Sequence, residues 1–144
     1  MSARAPDLPN PEPPRLPWEQ TMNGMIGIEA IEHGETAASA RFPVTDAVRQ
    51  PFGMVHGGAY AAVAEFLASS STARVVRTQG FVATGQSNHT TFLRPVFEGH
   101  VHAAARRLHG GRSSWLWEVE LTDDQGRLCA LSLVTVAVRP PRTR

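Results

Sequence analysis

Glu65 stands in the run Ala61-Ala62-Val63-Ala64-Glu65-Phe66-Leu67-Ala68, where nothing else carries a charge. An ionised carboxylate is expensive to bury without a partner, and no arginine lies within a helical turn of it on either side. Two readings follow. Either the carboxylate reaches an interface ion pair or a solvated edge, or it is held in a dry pocket where its reactivity as a base or nucleophile is tuned. Upstream lies His56-Gly57-Gly58. A glycine pair opening a helix leaves room for a ligand to approach the backbone, and the unpaired N–H groups of a first helical turn favour developing negative charge. Beside a carbonyl under attack they would serve as an oxyanion hole. Glycine is common at turns, so the pair gains meaning only with Glu65 downstream. His56 fits a helix cap better than a proton carrier.

These groups need a helix to carry them. Residues 59–72 contain no proline and no glycine, which suits a helix. Apolar residues lie on nearly every side of it, so it is expected to be buried all round. Before it, residues 18–25 read as a short helix, and 26–31 and 36–42 as two strands hinged at Gly34. After it the chain alternates with period two, the mark of strands. In residues 115–121, Trp115, Trp117, Val119 and Leu121 share one face, while Glu118 and Glu120 share the other. Residues 128–138 are apolar on both faces and read as a central strand. Residues 81–95 and 100–108 supply two more, with turns at Glu98-Gly99, Gly110-Gly111 and Asp124-Gln125-Gly126. The pattern is α+β: a curved antiparallel sheet wrapped around one long buried central helix, the arrangement called the hot-dog fold.

At 144 residues the chain supports one core. Residues 1–17 hold six prolines and little to bury, so they read as a disordered or extended tail. The domain is expected over residues 18–138, followed by a short polar tail over 139–144. A formal net charge of +1 with 19% charged residues gives no electrostatic ground for a nucleic-acid or membrane partner. All 14 basic residues are arginine, from which no function is drawn. A single cysteine, Cys129, excludes an internal disulfide and suits a reducing compartment. With no signal-peptide core and no bilayer-length apolar run, a cytoplasmic location is expected.

The motif Gln50-Pro51-Phe52-Gly53-Met54-Val55-His56-Gly57-Gly58, with Glu65 and then Ser69 at fixed spacing, resembles the signature of hot-dog acyl-CoA thioesterases. The likeness is greatest to the Arthrobacter-type 4-hydroxybenzoyl-CoA, dihydroxynaphthoyl-CoA and phenylacetate-pathway enzymes. It runs from about Met25 to Val138, through Asn88, Leu93-Arg94-Pro95 and Gly111-Arg112-Ser113-Ser114. The resemblance implies hydrolysis of an acyl-CoA, slightly favouring an aromatic acyl group, with no cofactor and no metal. Glu65 would be nucleophile or general base, and Gly57 N–H, with His56 beside it, would polarise the carbonyl. Gln50 would hold the acyl group or the attacking water, and Ser69, where the family carries Thr or Ser, would position water or substrate. Gly58 and Asn88 would line the substrate site. Arg106, Arg112, Ser113 and Ser114 would bind CoA phosphates. A hot-dog hydratase or dehydratase, and a non-catalytic acyl-CoA binding module, stand as alternatives.

The spacing bears on assembly. Gly57 and Glu65 lie eight residues apart, or ~12 Å along a helix axis and ~80° around it. A thioester carbon sits ~3–3.5 Å from its attacking atom, with its oxygen about as far from the polarising N–H. Even an extended Glu65 leaning toward the helix start would struggle to meet its own Gly57. A homodimer with antiparallel helices, each Glu65 facing the other chain's Gly57 and Gln50, resolves this. The resemblance implies the same dimer, paired again into a homotetramer. Other signals carry no function. His100 and His102 alternate on a strand with no ligand set to complete a metal site, and His89 and His109 stand apart. Cys129 lies in the most apolar strand and reads as an inert core thiol. No G-x-S-x-G, G-x-G-x-x-G or P-loop occurs.

Overall fold

The computed structural model describes residues 15–142. The tail expected over residues 1–17 therefore lies outside the described residues as far as residue 14, as do residues 143–144. The single helix expected over residues 18–25 is instead a 3₁₀ turn, Trp18–Gln20, and a short helix α1, Met22–Ile26. Thr21 divides them: its backbone is extended, and its hydroxyl caps α1 by accepting from Gly24 N–H at 3.1 Å. Gly27, at φ 79°, closes α1 in the left-handed region that favours glycine. Strand β1 accordingly begins at Glu29, not at residue 26, and runs Glu29–His33; β2 follows over Ala37–Pro43.

Helix α2 spans Gly57–Arg77, longer at both ends than residues 59–72. The Nδ1 of His56 caps its start, and Arg74 and Arg77 in its last turn complement the helix dipole. The expectation that α2 is buried all round is corrected. Ala59, Tyr60, Val63, Ala64, Leu67, Ala68, Ser71 and Thr72 form one buried stripe, whereas Glu65 is exposed and Ala61, Ala62, Phe66, Ser69 and Ser70 are half-buried. Alanine occupies both faces, and the buried stripe even includes Ser71 and Thr72, so hydrophobic patterning could not separate the two sides.

Strands β3 (Val82–Phe92), β4 (His100–Gly110), β5 (Ser114–Thr122) and β6 (Leu128–Arg139) complete one six-stranded antiparallel sheet of order β1-β2-β4-β5-β6-β3. Strand β6 is paired on both sides, with β3 at the edge beyond it. It continues one residue past the expected boundary, and the Arg139 guanidinium donates to Ser113 O at 2.6 Å. Among the described residues no helix is long and apolar enough to cross a membrane.

The core lies between α2 and the inner face of the sheet. Trp117, Val119 and Leu121 are fully buried there and Trp115 nearly so, on the face that alternation assigns them. Cys129 is also fully buried. A polar link deep in this core joins Trp117 to α2: its indole N–H donates to Thr72 Oγ1 at 3.0 Å, and that hydroxyl donates to Ala68 O at 2.8 Å. Thr72→Val keeps the shape but strands the indole donor in an apolar environment. It is expected to cost about 1–3 kcal/mol, measured as a lower urea midpoint at unchanged m-value.

Candidate active site

The side chain of Glu65 leaves α2 toward β3 and lies over Gly85. A Cβ built on Gly85 would overlap the carboxylate, reaching within 3.0 Å of Cδ. Among the described residues no hydrogen bond or ion pair engages this carboxylate. It forms part of the wall of an open cleft of about 650 Å³ between α2 and the N-terminal segment, with Ser69, Leu16, Trp18, Met22 and Phe66. Trp18 meets Phe66 edge to face at 5.8 Å between ring centroids, and His33 also meets Phe66 edge to face at 5.8 Å. Burial, then the nearby Arg74, holds the His33 pKa below its ordinary value. Glu65 is thus exposed in the single chain, and the dry pocket expected around it is not formed by one chain alone. Ser69 donates its hydroxyl hydrogen to the carbonyl of Glu65, which leaves its lone pairs for water or substrate.

A second cleft, of about 510 Å³, opens at the start of α2 and contains Gln50, Gly57, Tyr60, Phe92 and Arg94. The loop ahead of the helix is tightly held. Gln50 N–H donates to Met54 O, Gly53 N–H to Gln50 O, Val55 N–H to Val96 O and His56 N–H to Val48 O. Gly53 adopts φ 92° to complete the turn. The Oε1 of Gln50 accepts from Phe52 N–H, so the NH₂ end of its amide is the end left to a ligand. His56 acts as a cap: its Nδ1 accepts from Gly58 N–H at 2.8 Å, which requires an unprotonated Nδ1. That bond uses the N–H of Gly58. The N–H of Gly57 makes no hydrogen bond among the described residues and stays available at the helix start. The ring of Phe92 covers this position, and a Cβ on Gly57 would come within 2.8 Å of it.

The residues implied by the resemblance therefore divide. Glu65 and Ser69 share one cleft; Gln50 and Gly57 share the other; the two have no residue in common. Asn88 ties β3 to α2, donating to Ala61 O at 2.8 Å, one turn before Glu65, and accepting from Thr90 at 2.8 Å. Arg106, Arg112, Ser113 and Ser114 line neither cleft. Arg106 pairs with Glu118 at 2.9 Å, and the others surround the β4–β5 turn. His102 pairs with Asp124 at 2.7 Å. Three contributors escaped the sequence reading. Tyr60, 3% exposed between Phe42 and Phe92, has its pKa pushed up to about 12 by burial, then by Cys129 and Asp123, and stays protonated. Trp18 lay at the edge of the supposed tail. Gly85 gave one signal, a glycine inside a strand pattern and away from any turn.

The carboxylate of Glu65 is carried mid-helix against the sheet, and the N–H of Gly57 is open at the start of the same helix. A family model described as the thioesterase superfamily matches residues 52–130, and the chain belongs to that superfamily. The protein is a thioester hydrolase, which sets aside the lyase and non-catalytic readings. It is 38% identical over 113 residues to the proofreading thioesterase EntH of Cronobacter turicensis, covering 78% of this chain and 82% of the relative. Thioesterase PA1618 of Pseudomonas aeruginosa, solved as a mutant, superposes with a TM-score of 0.81 at 30% identity, over 85% of this chain and 88% of that one. The thioesterase HI1161 of Haemophilus influenzae does so with a TM-score of 0.78 at 30% identity, over 84% of each chain.

Proposed function

We propose that the protein hydrolyses an aromatic acyl-CoA to the free acid and CoA, in active sites shared between the two chains of a dimer. The separation of Glu65 and Ser69 from Gln50 and Gly57 into two clefts of one chain carries this reading. The half-open face of α2, bearing Glu65 and the small Ala61 and Ala62, and the unpaired edge of β3 are left for a second chain. In the joined site Gly57 N–H of one chain polarises the thioester carbonyl, and the Gln50 NH₂ holds the acyl group or the water. Glu65 of the other chain either attacks the carbonyl carbon, expelling CoA as thiolate and leaving an anhydride that water cleaves, or takes a proton from the attacking water. Asn88 acts through Ala61, steadying the helical turn that carries Glu65. The Trp18 and Phe66 rings beside Glu65 offer edges and faces to a flat aryl group, which favours the aryl-acyl branch of the superfamily. Pairing of dimers into a tetramer, and a cytoplasmic location, belong to the same proposal.

Turnover of a panel of aryl- and fatty-acyl-CoAs, followed by thiol release, tests it. Aryl-acyl-CoAs are expected to give the highest kcat/KM; a preference for long aliphatic chains would remove the aryl assignment. Arg112, Ser113 and Ser114 surround the β4–β5 turn and Arg106 lies further back on β4, none of them lining either cleft, and they suit the nucleotide end of CoA. Replacing Arg112 and Ser113 by alanine is expected to raise KM about tenfold, the scale of a lost charge-assisted hydrogen bond, while kcat stays within about twofold. A fall in kcat at constant KM would place them elsewhere.

A further inference from the structure

We propose that Gly85 is a positioning residue for the reaction: its missing side chain is the space in which the Glu65 carboxylate rests. The inference builds on the role given to Glu65 above. Glycine inside a strand weakens it, and its presence there calls for a reason, either a bulge or the close approach of another group. Left-handed backbone is not the reason, because Gly85 is not among the glycines at positive φ, which are Gly27, Gly53, Gly80, Gly99 and Gly126, and the bulge that follows it does not by itself require a glycine. The neighbours of Gly85 do. A Cβ at this position would overlap Oε1 of Glu65 and lie 3.0 Å from Cδ and 3.3 Å from Cγ. Every nearby atom within 4 Å that ranks among the nearest three belongs to that one side chain.

With no hydrogen bond or ion pair to it among the described residues, the carboxylate is located by packing against the bare β3 backbone. The strand is shaped at this point as well. Gly85 pairs with Val136, but the register with β6 slips between Gly85 and Ser87. Such a bulge locally bends a strand and re-aims what lies beside it. A methyl group at position 85 leaves the sheet pairing possible and pushes the carboxylate off the strand by about the 1 Å that costs on the order of 10²-fold in a positioned reaction.

The test is a cycle of Gly85→Ala, Glu65→Ala and the double variant, assayed on the best substrate of the acyl-CoA panel. Gly85→Ala is expected to lower kcat by about 10- to 100-fold with KM within about threefold, the mark of a group that acts on chemistry and not on uniform binding. In the Glu65→Ala background the same substitution is expected to have no further effect, because the group it displaces is gone. A ¹³C-labelled Glu65 carboxyl should also change its chemical shift or titration on Gly85→Ala without substrate. Normal turnover by folded Gly85→Ala, or an equal loss in both backgrounds, overturns the inference. If Gly85→Ala folds poorly, the double variant must fold as well as wild type; a double variant that fails too shows that the methyl meets something other than Glu65. An active Glu65→Ala enzyme instead sinks the role assigned to Glu65, a result distinct from an active Gly85→Ala beside an inactive Glu65→Ala.

Discussion

Glu65→Gln is expected to lower kcat about 10²- to 10⁴-fold, the range for losing a positioned base, with CoA release as the readout. At 1.36 kcal/mol for each factor of ten, this is about 3–5 kcal/mol of transition-state stabilisation. The amide nearly reproduces the size of the carboxylate but can neither attack a carbonyl nor accept a proton at neutral pH. The loss should fall on chemistry and leave the fold. Glu65 is exposed in the chain and takes part in no ion pair among the described residues, so removing its charge leaves no opposite charge stranded. The thermal midpoint should stay within about 3 °C of wild type, as for a surface substitution away from any structural contact. A folded Glu65→Gln or Glu65→Ala enzyme with near-normal turnover would end the proposed mechanism.

Mixing two inactive variants should restore activity if the site is shared. Glu65→Ala removes the carboxylate from one cleft, and Gln50→Ala removes the amide from the other. Unfolded together and refolded, equal amounts pair at random, so half of the dimers are mixed. In each mixed dimer one site takes Glu65 and Gln50 from undamaged positions, while the other site is doubly damaged. Half the dimers with half their sites active gives ~25% of wild-type activity when sites act independently. The measurement is steady-state turnover, with differently tagged chains to confirm exchange. Recovery no greater than either variant alone, despite confirmed exchange, would place both groups in one chain. The proposed shared site rests on the separation of these groups: the carboxylate faces Gly85 of its own β3, while Gly57 stands at the helix start beside Phe92.

Much of this was legible from local pattern. Period-two alternation put Trp115, Trp117, Val119 and Leu121 on the buried face of β5, because a strand sends successive side chains to opposite sides whatever surrounds it. The glycine pair after His56 marked the start of α2, because glycine and a polar cap meet the needs of unpaired N–H groups. Glu65 drew notice because a lone charge in an apolar run needs an explanation. All three are properties of a segment and its neighbours along the chain.

What the tertiary structure alone decided depends on residues far apart in sequence. Helix α2 has one buried stripe, and no reading of its alanines could tell which face met the sheet, since a methyl suits a core and a surface alike. The spacing of Gly57 and Glu65 already implied their separation, but which residues wall each cleft, Trp18 and Met22 in one and Phe92 and Arg94 in the other, came only with the fold. That His56, already read as a cap, engages the N–H of Gly58 and leaves that of Gly57 open depends on bond geometry at 2.8 Å that residue types leave undecided. Gly85 acquires meaning only when β3 folds back across α2. Twenty residues separate it from Glu65 in the chain, and only packing makes its missing side chain the place where the carboxylate rests.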